Sequence, residues 1–197
     1  ECNQYMLNPV NDDLNSENDN IFNGIMHEDH FGFGMKYAPI ENSKNLVLHG
    51  FFQSEKYFDH CRDVIAHHFK PKHEFLKVVR EAGKEFLNLQ NLVAIHVRRG
   101  DYIKNQDRHP VLSETYYIHS LVELSKNLGV PIKDINIVFF SDDIPWCKQH
   151  SFGHNIYFAE GNSDMVDLYL MALCPNHIIA NSSFSWWSSW ISRNVFE

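Results

Sequence analysis

An α/β fold built on a parallel sheet is what this sequence predicts, and three observations predict it. Short runs that are apolar on both faces alternate with helical patterns, Gly and Pro punctuate the junctions, and polar residues gather where the runs end. Leu92–Val97 is a continuous apolar run and reads as the first such strand. Ser113 is placed to cap a helix with Tyr117, Leu121, Leu124 and Leu128 in line; Gly129 closes it and Pro131 follows. Ile135–Phe140 is a second buried strand, a short helix spans about Asp143–His150, and Asn155–Phe158 is a third strand. Ser163 caps an apolar helix over Met165–Leu173, His177–Ala180 is the fourth strand, and a last helix starts near Ser183. Right-handed crossovers then give a Rossmann-like layer, in which ligands bind beyond the carboxyl ends of the strands.

Upstream the pattern is weaker. Residues 1–45 are rich in Asn, Asp and Gly and are expected to be irregular, with one short strand; Asn45–His49 reads as another. From Ser54 to His68, Tyr57, Phe58, Cys61, Val64, Ile65 and His68 recur at helical intervals, and Pro71 ends the pattern. A second helix is expected over about 72–89, with Phe75, Val78, Val79, Ala82 and Phe86 on one face. The expected division is therefore 1–89, carrying two helices, and 90–197, carrying the parallel sheet.

The bulk numbers bound the function. Hydrophobic residues at 44% and charged residues at 21% fit a globular protein with a sizeable core. A formal net charge of -8 argues against a nucleic-acid partner but leaves room for a nucleotide, which needs only one or two placed cations. Cys2, Cys61, Cys147 and Cys174 are scattered without metal-ligand spacing and are expected to be free thiols in a reducing compartment. His67, His68 and His73 fall in no zinc-type array and are expected at the surface or at caps. No run is long and apolar enough to span a bilayer, and no signal peptide is visible.

Three strand ends carry the chemistry. The first runs into Arg98, Arg99, Gly100 and Asp101, the second into Ser141, Asp142 and Asp143, the fourth into Asn181, Ser182 and Ser183. Adjacent arginines after a strand point to opposite faces, so one meets a ligand while the other pairs with Asp101 or packs as structure. A guanidinium fork matches a phosphate and stabilises the charge that a departing diphosphate gains. The start of a helix after Asn181-Ser182-Ser183 offers N–H groups and hydroxyls to the same phosphates. Asp142 is placed to accept from the N1–H and 2-amino group of guanine, a donor pair that adenine lacks. Each piece has a plainer reading: Arg-Arg as surface ion pairs, Asp-Asp as a helix cap, Trp186, Trp187 and Trp190 as core, and Asn181 as a glycosylation sequon. Their joint placement favours a nucleotide site, and the adjacent aspartates lack the spacing of a metal-binding Asp-x-Asp.

HVRRGDY at His96–Tyr102 resembles the His-x-Arg-Arg-x-Asp motif of the α1,2-fucosyltransferases of glycosyltransferase family 11. IIANSSFSWWSSW at Ile178–Trp190 is similar to that family's second hallmark, and DMVDLYLMALC, FFSDD and GFFQSEKYF are similar to further segments, together covering about 45–190. The resemblance implies that 90–197 is the GDP-sugar-binding, donor half of a GT-B fold and that 1–89 is an incomplete acceptor-side region. It implies a metal-independent, inverting transfer of L-fucose from GDP-β-L-fucose to a galactose hydroxyl of a glycan, with no cofactor. Carried over by residue, Arg98 would bind the β-phosphate, His96 the guanosine end, Asp142 the guanine, and Ser182 and Ser183 the phosphates, while Arg99 and Asp101 hold the loop in shape. The family's Gly-rich GNQMFQ-like segment and usual C-terminal tail are absent from this sequence, so the chain reads as a fragment or a short divergent member.

Two other readings stand beside this one: a fucosyltransferase of another linkage, and a non-catalytic GDP-sugar or glycan-binding module. The general base is unassigned; Asp101, His109, Glu55 and Asp59 are the carboxylates and imidazole weighed for it. The expected location is the cytoplasm for a bacterial or viral parent, or the Golgi membrane for an animal one, anchored through a segment outside this sequence.

Overall fold

The computed structural model describes residues 24–27, 37, 39–40, 46–150 and 152–196. The chain divides into two compact units, 1–65 and 66–197. In the first, β1 (Gly24–His27) and β2 (Leu46–His49) pair in parallel, with Gly24 opposite Leu46. The rest of the irregular segment expected over 1–45 lies almost wholly outside the described residues. The helix expected from Ser54 is broken in two. Two 3-10 turns, Glu55–Tyr57 and Asp59–Cys61, precede α1 (Arg62–Phe69), and Phe58 between them, at φ -130° and ψ 11°, is out of helical register.

The second unit holds a four-stranded parallel sheet ordered β5 (Asn155–Phe158), β4 (Asn136–Ser141), β3 (Leu92–Val97), β6 (Asn176–Ile178). Leu92 faces Asn136, Val93 faces Asn176 and Asn136 faces Asn155. Counted within this unit, the order is third, second, first, fourth. The winding therefore reverses between β3 and β6, which is the switch point where doubly wound sheets open a crevice for ligands.

Helices cover both faces. Val93, Ile95 and Val97 pack with Tyr117 and Leu121 of α3 (Glu114–Leu128) and Cys147 of α4 (Ile144–Gln149). His96 points the other way, its ring 5.4 Å from Phe184 of α6 (Ser183–Ile191). All six β3 residues are consequently buried, as an apolar run with no alternation requires. α2 (His73–Ala82) packs on α5 (Asp164–Ala172), with the rings of Phe75 and Tyr169 5.5 Å apart edge to face. α2 stops before the expected 89 because Gly83 caps it, and a Cβ on Gly83 would stand 2.4 Å from Leu170 Cδ1. The apolar spacing continues beyond, Phe86 staying buried, but in turns rather than helix. This helix lies in the sheet's own unit, ahead of the division expected at 89.

The Ser113 and Ser163 caps read from the sequence are in place, and Ser182 caps the last helix. Ser113, Ser163 and Ser182 each accept an N–H of the first turn of α3, α5 and α6, and Gly129 closes α3 at φ 65°. Phe69, Trp187 and Trp190 form an aromatic cluster, Phe69 stacked on Trp187 at 5.0 Å, so these tryptophans are core. At the amino ends of the strands, asparagine amides tie the loops down: Asn136 Nδ2 donates to the Gln90 carbonyl at 2.6 Å and Asn176 Nδ2 to that of Leu92 at 3.0 Å. The carboxyl ends are left for function. Cys147 and Cys174 are free, as expected, and both are buried, but the four-free-thiol reading is corrected at Cys61, which is disulfide-bonded.

Candidate functional site

The two arginines that leave β3 diverge as strand alternation requires. Arg98 donates through Nε to Asp101 Oδ1 at 3.0 Å and forms ion pairs through Nη2 with the same oxygen at 2.8 Å and through Nη1 with Asp142 Oδ2 at 3.1 Å, and its guanidinium lies 5.6 Å from the Tyr102 ring centre. Arg99 turns toward α4. Its Nε donates to Asp143 Oδ2 at 3.0 Å, its guanidinium covers the Trp146 ring at 4.2 Å, and its backbone N–H donates to Asp142 Oδ1 at 2.9 Å. Asp101 thus holds Arg98 rather than Arg99, and Arg99 has a partner of its own from the β4 end.

The β4 loop is fixed by the same contacts. Asp143 caps α4 by accepting the Trp146 N–H at 3.1 Å, while its own N–H donates to Ser141 Oγ at 2.9 Å. Asp142 bridges the two arginines. Gly100 lets it approach, since a Cβ there would stand 2.6 Å from Asp142 Oδ2. Two guanidinium groups therefore meet three carboxylates, so both cations arrive at the crevice already paired, with one carboxylate charge in excess.

The β6 end closes the opposite side of the crevice. Tyr102 donates its hydroxyl to the Asn181 carbonyl at 2.9 Å, and Asn181 Nδ2 donates to the Pro110 carbonyl at 3.0 Å. These bonds lash the 101–110 loop across the ends of β3 and β6. Ser182 Oγ accepts the Phe184 N–H at 3.3 Å as the cap of α6, Ser183 is exposed at the first helical position, and Ser185 Oγ turns inward to the Ala180 and Ser182 carbonyls. The sequon asparagine is thus half-buried and tethered on its amide side.

His96 is 4% exposed, and its Nδ1 makes no hydrogen bond within the protein. Burial pushes its pKa down to about 4; the Arg98 charge acts in the same direction and Asp142 opposes both. The imidazole is neutral at pH 7 and offers one unused nitrogen. Because the unfolded chain binds this proton near pH 6.5 and the folded chain only near 4, the resulting stability is complete above about 6.5 and is lost as pH falls through that window. A fall from 6.5 to about 4 corresponds to roughly 3 kcal/mol. Urea midpoints measured from pH 7.5 to 4.5 should therefore fall steeply in wild type and less in His96→Gln; parallel profiles would contradict this.

Of the residues weighed as a base, Asp101 is committed to Arg98 and His109 stacks on Tyr102 at 4.9 Å and 21°. Glu55 and Asp59 belong to the first unit, where both pair with Arg62. Among the described residues no group of three or more His, Cys, Asp or Glu has metal-holding geometry. Sequence reasoning missed Tyr102 and Trp146. Tyr102 was legible as the residue closing HVRRGDY, whereas nothing in the sequence marks Trp146 as the surface on which Arg99 rests.

Residues 6–195 match the model of glycosyl transferase family 11. The chain belongs to that family. It is 37% identical over 154 residues to an α-1,2-colitosyltransferase of Escherichia coli, spanning 73% of this chain and 50% of the relative. It is 28% identical over 178 residues to a galactoside 2-α-L-fucosyltransferase of Caenorhabditis elegans, spanning 84% of this chain and 48% of the relative. This family 11 chain thus spans about half the length of these relatives. A crystal structure of POFUT1 in complex with GDP shares its fold with a TM-score of 0.51 at 13% identity, covering 76% of this chain and 52% of that one. The switch-point crevice described above accordingly lies in an α/β layer that this chain shares with that structure.

Proposed function

We propose that this family 11 chain carries the donor site of an inverting, metal-independent transferase that moves L-fucose from GDP-β-L-fucose to a galactose hydroxyl in α1,2 linkage. The observation that carries the reading is the meeting, at the switch point of the sheet, of Arg98, the unused nitrogen of His96 and the start of α6. Guanidinium has five N–H groups. Arg98 commits its Nε–H to Asp101 and only ion-pairs its terminal nitrogens with Asp101 and Asp142, so N–H groups of the fork remain for the β-phosphate. A fixed cation here stabilises the departing diphosphate as the glycosidic bond breaks, the task that a metal ion serves in other transferases. The oxocarbenium-like state that follows is attacked by the acceptor hydroxyl from the opposite face.

Ser182, Ser183 and the first N–H groups of α6 complete the phosphate cradle, and His96 takes a hydroxyl or N–H of the guanosine. Asp142 braces Arg98, and each of its oxygens keeps a second lone pair for the guanine N1–H and 2-amino group. Asp142→Asn separates these tasks: loss of preference for GDP over IDP marks base reading, and equal weakening of both marks the brace. The general base is left unassigned.

The 37% identity to a colitosyltransferase supports a second reading of the donor. Colitose is fucose without its 3-hydroxyl, and a pocket built to bond that hydroxyl rejects the deoxy sugar by as much as about 10⁴-fold. The test offers the chain GDP-fucose or GDP-colitose with lactose and EDTA, with NMR of the product. An α-fucosyl group on O2 of galactose supports the proposal. Transfer of colitose alone overturns its donor, and GDP binding with no transfer from either donor supports a binding module.

A further inference from the structure

Tyr102 stands in the 3-10 turn Asp101–Lys104, between the ends of β3 and β6, and the two parts of its side chain serve different elements. The ring carries the Arg98 guanidinium 5.6 Å from its centre. The hydroxyl donates at 2.9 Å to the Asn181 carbonyl, 79 residues along the chain and one residue before Ser182, the cap of α6. His109 stacks on the same ring at 4.9 Å and 21°, and Pro110, the next residue, accepts Asn181 Nδ2 at 3.0 Å. A ring tethered at its hydroxyl and packed on His109 keeps its place against the arginine. The turn that bears it is tied down separately, by the Ile103 N–H on the Arg99 carbonyl at 2.8 Å and by Asn105 Nδ2 on the Asp101 carbonyl at 3.1 Å.

We infer that Tyr102 is a positioning residue for Arg98, setting its guanidinium against the start of α6. Asp101 and Asp142 hold that guanidinium by charge, at 3.0 and 3.1 Å. Ion pairs that water reaches are screened, and alone they orient a side chain weakly. The electron-rich face of the tyrosine adds a third point of attachment, and three points fix the orientation of a rigid planar group. The hydroxyl then sets the separation between that group and the α6 cap, the two sides of the proposed phosphate cradle. A phenylalanine would keep the arginine contact and lose the tie to Asn181, whereas a leucine would lose both. Only the nucleotide readout of this inference rests on Arg98 being the phosphate-binding arginine.

The test compares Tyr102→Phe and Tyr102→Leu with the wild type, each as the full chain. The Arg98 Nε–H resonance, assigned by its loss in Arg98→Lys, should exchange with water about three- to fivefold faster in Tyr102→Leu and change less in Tyr102→Phe. By calorimetry, the preference for GDP over GMP, which lacks the β-phosphate, should fall about two- to fivefold in Tyr102→Phe and about tenfold in Tyr102→Leu. Unchanged arginine exchange in Tyr102→Leu overturns the inference whatever nucleotide binding does. Equal weakening of GDP and GMP also overturns it and marks Tyr102 as a staple of the loop. Should Tyr102→Leu fail to fold, Tyr102→Phe decides, and an unmoved preference for GDP there overturns the inference. If the wild type binds no GDP, the donor-site reading fails while the arginine exchange still decides the role of Tyr102.

Discussion

Arg98→Ala is expected to cut donor-dependent turnover roughly 10²–10³-fold, about 3–4 kcal/mol of barrier, with little change in fold stability. Arg98 is held by one hydrogen bond and two further ion-pair contacts, so its guanidinium is placed before the donor arrives. An interaction set in advance is not weakened by reorganisation during the reaction, and it strengthens as charge collects on the leaving phosphate. The side chain is 35% exposed, so its loss leaves Asp101 and Asp142 accessible to water rather than sealed. Arg98→Lys keeps the charge but cannot brace on two carboxylates and still present a fork, so it should recover only part of the loss. The check is kcat/KM for donor hydrolysis or transfer in the three proteins, with melting curves alongside. Activity within threefold of wild type in Arg98→Ala would remove the arginine from the mechanism.

Phe139→Ala should have the largest effect on stability, about 3–5 kcal/mol, or a fall of roughly 10–15 °C in melting temperature. Phe139 is 1% exposed at the centre of β4. Its ring stacks on Phe158 of β5 at 5.7 Å and meets the edge of Phe152 at 5.6 Å, so truncation opens a cavity that two neighbouring rings cannot both refill. Phe139 faces the α3–α4 side, two residues before Ser141, so the cavity also loosens the strand that carries Asp142. Differential scanning calorimetry reads the effect directly. A shift below about 3 °C would mean that this layer repacks more freely than a close-packed interior does.

How far these features were legible depended on their range along the chain. The strands, the Ser113 and Ser163 caps and Gly129 are local signals, and they lie within a residue or two of where the sequence puts them. The broken helix at Phe58 and the early end of α2 at Gly83 were not legible, because helical spacing continues through both. In α2 the helix stops at the Gly83 cap, where a Cβ would stand 2.4 Å from Cδ1 of Leu170, a distant residue. The divergence of Arg98 and Arg99 followed from strand alternation alone. Their partners did not: Arg99 and Asp143 are 44 residues apart, and only the register of β3 against β4 brings them together. The disulfide at Cys61 was hidden for a similar reason, since cysteine spacing carries no record of pairing.

The central claim is a guanine-nucleotide site organised by Arg98, and calorimetric titration of GDP and ADP in EDTA tests it most directly. The account predicts that GDP binds at least about tenfold more tightly than ADP, a difference of about 1.4 kcal/mol or more, and that Arg98→Ala abolishes the GDP heat. Equal affinity for the two nucleotides, or GDP binding untouched by Arg98→Ala, would contradict it.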